Sequence, residues 1–310
     1  MKKRRIKKKS YVLLALIILI IGGSVTAYKY KQYINSNGYK LEKKGYNEEE
    51  IKTIIKSREM TDVTLKYDYN KDLIPLMKEK YFLKKNLDTY LKYLGENPDF
   101  KFKKIVSIVN VGANKDWYDV IKPTNLDKGN LILVNKYNYL SEEFVIDDLV
   151  KMSIRVAFEG KEIRSEVNDA FTNMCNEAKT DGLVIVANST YRNYNYQASL
   201  YKRKKNEKGQ LYADSFVARP GHSEHQTGLS IDVSTLKNTM DDFEKTKEFE
   251  WLIKNAHKYG FILRYPKGKE YLTGYNYESW HFRYVGIDAA KKIKDEGITF
   301  DEYYAYYVEG

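Results

Sequence analysis

The stretch Arg219-Pro220-Gly221-His222-Ser223-Glu224-His225-Gln226-Thr227-Gly228-Leu229-Ser230-Ile231-Asp232 decides how the rest of the chain is read. Two of the chain's four histidines, His222 and His225, fall inside it. Asp232 follows His225 after Gly228, a residue that permits a tight turn. Ser230, Asp232 and Ser234 alternate with Ile231 and Val233, which is the period of a strand with the carboxylate on its polar face and the aliphatics on the other. A turn feeding a short strand can bring an imidazole and a carboxylate to one point. A third ligand and an open position would then make a catalytic zinc site.

A third ligand lies downstream, in Tyr277-Glu278-Ser279-Trp280-His281-Phe282-Arg283-Tyr284. His225, Asp232 and His281 supply two nitrogens and one oxygen, and Glu278 is left over as a general base for an activated water. In a regular strand residues 278 and 281 point to opposite faces, so this stretch needs a bulge or a helical turn if both are to reach one site.

Taken together, these pieces resemble the VanY-type zinc D-alanyl-D-alanine carboxypeptidases, whose Ser-x-His-x-x-Gly-x-x-x-Asp and Glu-x-x-His patterns read here as Ser223 to Asp232 and Glu278 to His281. The likeness extends to Ser189-Thr190-Tyr191-Arg192 with Gln197, to Val217-Ala218-Arg219-Pro220-Gly221-His222, and to Gly260-Phe261-Ile262-Leu263-Arg264-Tyr265-Pro266, over roughly residues 100–300. Two positions depart from it: Ser230 stands where the family usually has Ala, and Ser279 where Pro is common.

The resemblance implies a metallo-carboxypeptidase, not a serine-type one, acting on peptidoglycan stem peptides. Zinc is the implied cofactor, held by His225, Asp232 and His281. His222 is left outside the ligand set. The resemblance makes Glu278 the residue that takes the proton of the attacking water, and Arg192 the fixed cation beside the developing oxyanion. A free C-terminal carboxylate also needs a partner, and a guanidinium fork suits it; the sequence leaves this task open among Arg192, Arg219 and Arg283. Ser223 and Gln197 are candidates for hydrogen bonds to substrate. The alternatives on the same scaffold are an L,D-carboxypeptidase or an endopeptidase. An inactive wall-binding module is disfavoured because Glu278 is present.

Composition bounds the rest. Hydrophobic residues make up 43% of 310, enough for a packed core. Formal net charge is +11, but seven basic residues fall in the first ten positions. The basic excess is therefore mostly a tail and does not argue for nucleic-acid binding. One cysteine, Cys175, rules out a disulfide framework and lies on the apolar stripe Ile163, Val167, Ala170, Phe171, Met174, Ala178. It reads as core. No obligate protein partner is implied.

Residues 1–10 read as a basic cytoplasmic tail, and residues 11–28, which carry no charge, as a transmembrane anchor. Val25-Thr26-Ala27 also fits a signal-peptide cleavage site. Both readings place the catalytic part outside the cytoplasm, held at the cell membrane by the anchor or secreted after signal cleavage. Residues 29–98 read as a helical stalk, with a capping box at Asn47 to Glu50 and a helix over about Lys84 to Leu94. Residues 99–310 read as the zinc carboxypeptidase domain. Strands are expected at Lys101–Val111, Leu131–Asn135, Leu183–Ala187 and Phe261–Tyr265, and helices over Glu162–Lys179, Asp242–Tyr259 and Gly286–Glu296. His257 flanks the stripe of the second helix and reads as structural. Strands and helices mix without strict alternation, which predicts an α+β fold with a small, largely antiparallel sheet and flanking helices.

Overall fold

A computed structural model describes residues 8–237 and 240–309. Its contacts divide the chain into two compact units, one ending at Phe82 and one running Leu83–Gly310. The first is all helical: α1 (Lys8–Asn35), α2 (Asn37–Lys44), α3 (Glu48–Ile54), α4 (Arg58–Lys66) and α5 (Leu73–Met77). Its small core is Leu41, Tyr46, Ile54 and Ile74. The capping box is present: Asn47 accepts from Glu50 N and Glu50 accepts from Asn47 N. Residues 1–7 of the basic tail lie outside the described residues, as do most side chains of 11–20. Among the described residues, no helix is long and apolar enough to cross a membrane.

The second unit carries the decisive stretch. It begins with α6 (Leu87–Glu96) and α7 (Phe102–Asn110). Asn86 donates to Asn110 at 2.9 Å, so the helix expected at the end of the stalk packs with this unit. Helix α7 replaces the strand expected at Lys101–Val111. Its β-branched residues favour a strand, but Ile105, Ile108 and Val109 recur at helical spacing and are buried together, and packing overrides propensity. Two short strands follow, β1 (Lys122–Pro123) and β2 (Asn138–Tyr139). The segment expected as a strand at Leu131–Asn135 is a buried loop instead. Side chains satisfy its carbonyls where a neighbouring strand would have: Thr124 Oγ1 donates to Leu133 O at 2.6 Å and Arg283 Nη2 to Ile132 O at 2.8 Å.

The hairpin of β3 (Leu149–Lys151) and β4 (Glu162–Arg164) leads into α8 (Ser165–Thr180), followed by β5 (Val186–Ser189), α9 (Tyr194–Lys208), α10 (Gln210–Phe216) and β6 (Ser230–Ser234). The chain continues through α11 (Lys247–Asn255), β7 (Phe261–Leu263), α12 (Glu270–Thr273), β8 (His281–Tyr284), α13 (Ile287–Glu296) and α14 (Phe300–Tyr303). The helix expected over Asp242–Tyr259 is broken at Thr246, whose hydroxyl accepts from Phe249 N and starts α11 afresh.

The main sheet has the order β5-β6-β8-β7, antiparallel throughout, as expected for a small antiparallel α+β fold. Helix α8 covers one face with Val167, Phe171, Met174, Cys175 and Ala178, against Ile231, Val233, Phe261 and Phe282. Burial pushes the Cys175 thiol up to about 12, so it is an inert core residue. With Ile231 and Val233 in this core, the period of two sends Asp232 to the opposite face.

Candidate active site

The register of the central strands brings the site together. Asp232 in β6 pairs directly with His281 in β8 and, across a β-bulge, with Ser189 in β5. His225 arrives on a 3₁₀ turn, Glu224–Thr227, which Gly228 ends in the left-handed conformation at φ 66°. A Cβ at Gly228 would lie 2.8 Å from Arg164 Cγ, so this position needs both the dihedral freedom and the missing side chain of glycine.

His225, Asp232 and His281 are all buried, and each offers one ligand atom within 4.8 Å of the others. His225 Nε2 lies 3.2 Å from Asp232 Oδ2, and His281 Nδ1 lies 2.9 Å from Asp232 Oδ1. The far nitrogen of each ring is occupied. His225 Nδ1 lies 2.6 Å from the Thr190 carbonyl, and His281 Nε2 lies 3.5 Å from Glu224 Oε2. Those contacts fix which nitrogen of each ring faces inward, the arrangement by which outer partners orient metal-binding histidines. Two imidazoles and one carboxylate suit a borderline divalent ion such as zinc.

Glu278 is buried beside this triad, with Oε2 3.8 Å from His281 Nδ1. It precedes β8 in a turn in which His281 N donates to Glu278 O at 3.4 Å, so a helical-type turn turns Glu278 and His281 to the same side. Burial is the largest influence on Glu278 and raises its carboxyl to about 8, with Asp232 adding to the rise and His281 partly offsetting it. Burial also dominates at His225 and, with Arg192, lowers its imidazole to about 4. His281 behaves oppositely: burial works against its charge, but Asp232 and Glu224 outweigh that and raise it to about 9. Burial likewise opposes charge on Asp232, yet the histidines and Arg192 hold its carboxyl well below the usual range.

Arg192 Nη2 donates to Asp232 Oδ2 at 2.6 Å, Nε to Ser189 Oγ at 2.9 Å and Nη1 to Gln197 Oε1 at 3.4 Å. Gln197 is held in turn by donating to Ala218 O at 2.8 Å. Arg192, Gln197, Ser223, the triad and Glu278 line one cleft of about 280 Å³, with Lys204, Tyr212, Phe216 and Trp280 on its walls. Two expected substrate contacts do not line it. Arg219 forms a two-pronged pair with Asp214 and stacks on Tyr118. Arg283 is fully buried behind the site, where it donates to Glu224 and to the carbonyls of Tyr284, Asn130 and Ile132, leaving no face for a ligand. His222 stays outside the triad, with Nδ1 2.8 Å from Asn135 O. Ser230 is buried in β6 with its hydroxyl unpartnered, and Ser279 lies in the turn before β8.

The sequence reading missed Glu224, which is 1% exposed and bonded to His281, Arg264 and Arg283. A signal existed: Arg264 and Arg283 both occur in apolar strand contexts, and buried guanidinium groups require a buried counter-charge.

A small antiparallel sheet that presents two histidines, an aspartate and a separate buried acid at one cleft is the arrangement of a metallopeptidase. The profile of the VanY family, described as D-alanyl-D-alanine carboxypeptidase, matches residues 160–287. The chain belongs to this family. YodJ of Bacillus subtilis (strain 168), a carboxypeptidase by name, is 43% identical over 181 residues, covering 56% of this chain and 66% of that protein. A D-alanyl-D-alanine carboxypeptidase of Enterococcus faecium is 35% identical over 191 residues, covering 59% of each. The alignment thus spans just under two thirds of the length of these curated relatives. Among solved structures, that of the LdcB LD-carboxypeptidase superposes with a TM-score of 0.57 at 40% identity, covering 62% of this chain and 94% of that one.

Proposed function

We propose that this chain is a zinc-dependent D-alanyl-D-alanine carboxypeptidase that removes the C-terminal D-alanine from peptidoglycan stem peptides. The observation that carries the reading is the convergence of His225, Asp232 and His281 with a buried, neutral-range acid, Glu278, at one cleft. His225, Asp232 and His281 would hold the ion, which when bound would polarise the scissile carbonyl and lower the pKa of the attacking water. Glu278 accepts a proton from the attacking water and passes it to the leaving amine, and a carboxyl raised towards neutrality suits both transfers. Arg192, braced by Ser189 and Gln197, presents a fixed cation to the developing oxyanion. Ser223 and Gln197 offer hydrogen bonds to the substrate backbone from the cleft wall.

A carboxypeptidase must recognise a charged chain end. Arg219 and Arg283 are spent elsewhere, which leaves Arg192 and Lys204 as the cations lining the cleft. Amidating the substrate's C-terminus should cost about 2–4 kcal/mol of transition-state binding, a rate loss of about 30- to 1,000-fold. Equal kcat/KM for the acid and the amide would identify an endopeptidase instead.

The likeness to an LD-carboxypeptidase favours a second reading, cleavage after an L-residue in a tetrapeptide. Mass analysis of pentapeptide and tetrapeptide digests separates the two: D,D-activity shortens the pentapeptide alone, and L,D-activity shortens the tetrapeptide. The uncharged run 11–28 behind a basic tail supports a membrane anchor with the catalytic unit outside the cytoplasm. Fractionation of cells tests this, and a soluble mature chain beginning near Tyr28 would replace the anchor by a cleaved signal.

A further inference from the structure

His281 contributes one nitrogen to the triad and turns the other to Glu224 Oε2. The second oxygen of that carboxylate, Oε1, accepts from Arg264 Nε at 2.7 Å and from Arg283 Nη1 at 3.0 Å. Arg264 reaches one residue further. Its Nη1 donates to Asp301 Oδ2 at 2.5 Å, and Asp301 Oδ1 accepts from Asn135 at 2.9 Å. Arg264 and Arg283 are 0% exposed, Glu224 1% and Asp301 3%.

A buried network of four charges is a poor source of stability, because desolvation consumes most of the attraction. What it does well is fix orientation. Arg283 is tied down independently by three backbone carbonyls. Arg264 is not. Its hydrogen-bond partners are Glu224 and Asp301, its guanidinium lies over the Tyr265 and Phe300 rings, and its Nη2 is buried with no hydrogen-bond partner. Asp301 is therefore the charged group that, with those two rings, sets the Arg264 guanidinium, and Arg264 shares with Arg283 the task of holding Glu224 Oε1 so that Oε2 faces His281. We infer that Asp301, on α14 and outside the cleft, is a positioning residue for the metal centre, acting through Arg264 and Glu224 to set the ring of His281. The inference rests on the proposed metal site and deepens it, since Asp301 itself lies outside the stretches that carry the VanY likeness.

The test is zinc affinity by chelator competition on the full chain, together with the visible spectrum of the cobalt(II)-substituted protein. Asp301→Asn keeps the volume and the bond from Asn135 but removes the charge. It should weaken zinc binding by about tenfold, the lower end of the loss expected for an outer partner, and shift the cobalt bands. Asp301→Glu keeps the charge, and so the fold, while displacing the carboxylate by one methylene; it should shift the same bands. Glu302→Gln is the control. Glu302 is equally buried on α14 but bonds Ser107 and caps its own helix, so its loss should lower the melting temperature and leave zinc affinity unchanged. Wild-type affinity and unshifted bands in both Asp301 variants would overturn the inference, as would an equal loss of affinity in Glu302→Gln. A wild-type chain that takes up no stoichiometric metal would instead overturn the proposed function, and this inference with it.

Discussion

At the residue scale the proposed function turns on Glu278. Glu278→Gln keeps its shape and removes the proton acceptor, so the protein should retain its zinc while kcat falls by about 10²–10⁴; near-normal turnover would pass the role to another group. The pH dependence follows from burial. As the proposed base Glu278 would work as the carboxylate, and burial raises its carboxyl to about 8, so the active form is lost as pH falls. A bound cation draws that value back down, so the acid limb of kcat/KM should lie between about 4.3, the ordinary carboxylate value, and 8. A profile with its limb at or below the ordinary carboxylate value would contradict this. His281 gives a separate signature. Without metal its imidazole titrates at about 9, so it is protonated at neutral pH, yet ligation needs the neutral ring. Zinc binding at neutral pH should release that proton together with much of the one on Glu278, between about one and two in all, read by calorimetry in buffers of different ionisation enthalpy; no release would contradict the assignment. The triad and Glu278 were legible because each lies in a short local pattern. The idle state of Arg283 was not, because its partners Asn130, Ile132 and Glu224 come from distant parts of the chain.

The decisive element is the turn and strand from Glu224 to Ser234. Its register against β8 places Asp232 opposite His281, and a slip of one residue would send Asp232 into the apolar core. Gly228 fixes where that strand begins. Gly228→Ala forces a Cβ into Arg164 and Ile146 at positive φ, and should cost about 1–3 kcal/mol in urea denaturation, with weaker zinc binding because His225 sits on the same turn. Wild-type stability and affinity would show that the turn tolerates the side chain. Alternation around Asp232 was readable in the sequence because β6 has a core face and a site face. The segment at 102–110 misled for the opposite reason: its Val and Ile residues are buried by tertiary packing as a helix, and composition alone does not separate a short buried helix from a strand. The loop at 131–135 misled because Arg283 and Thr124 supply what a strand neighbour would have.

For the whole molecule, the triad, Glu278 and the cleft they line lie within Leu83–Gly310, and Asp301 on α14 is joined to them by hydrogen bonds through Arg264 and Glu224. The sequence placed the start of this unit at residue 99; the contacts of α6 with α7 place it earlier, a tertiary fact with no local mark. A fragment beginning at Leu83 should therefore fold and bind zinc, whereas one beginning at residue 99 loses α6 and the Asn86–Asn110 bond and should melt at lower temperature. Equal melting of the two fragments would return α6 to the stalk. The central claim, that the triad and Glu278 form a metal-dependent carboxypeptidase, is tested most directly by mass analysis of an acyl-D-Ala-D-Ala peptide incubated with the zinc-loaded chain, with the chelated chain and with His281→Ala. The prediction is loss of one C-terminal D-alanine with the zinc-loaded chain alone; an intact peptide with fully loaded protein, or cleavage that persists after chelation and in His281→Ala, would contradict it.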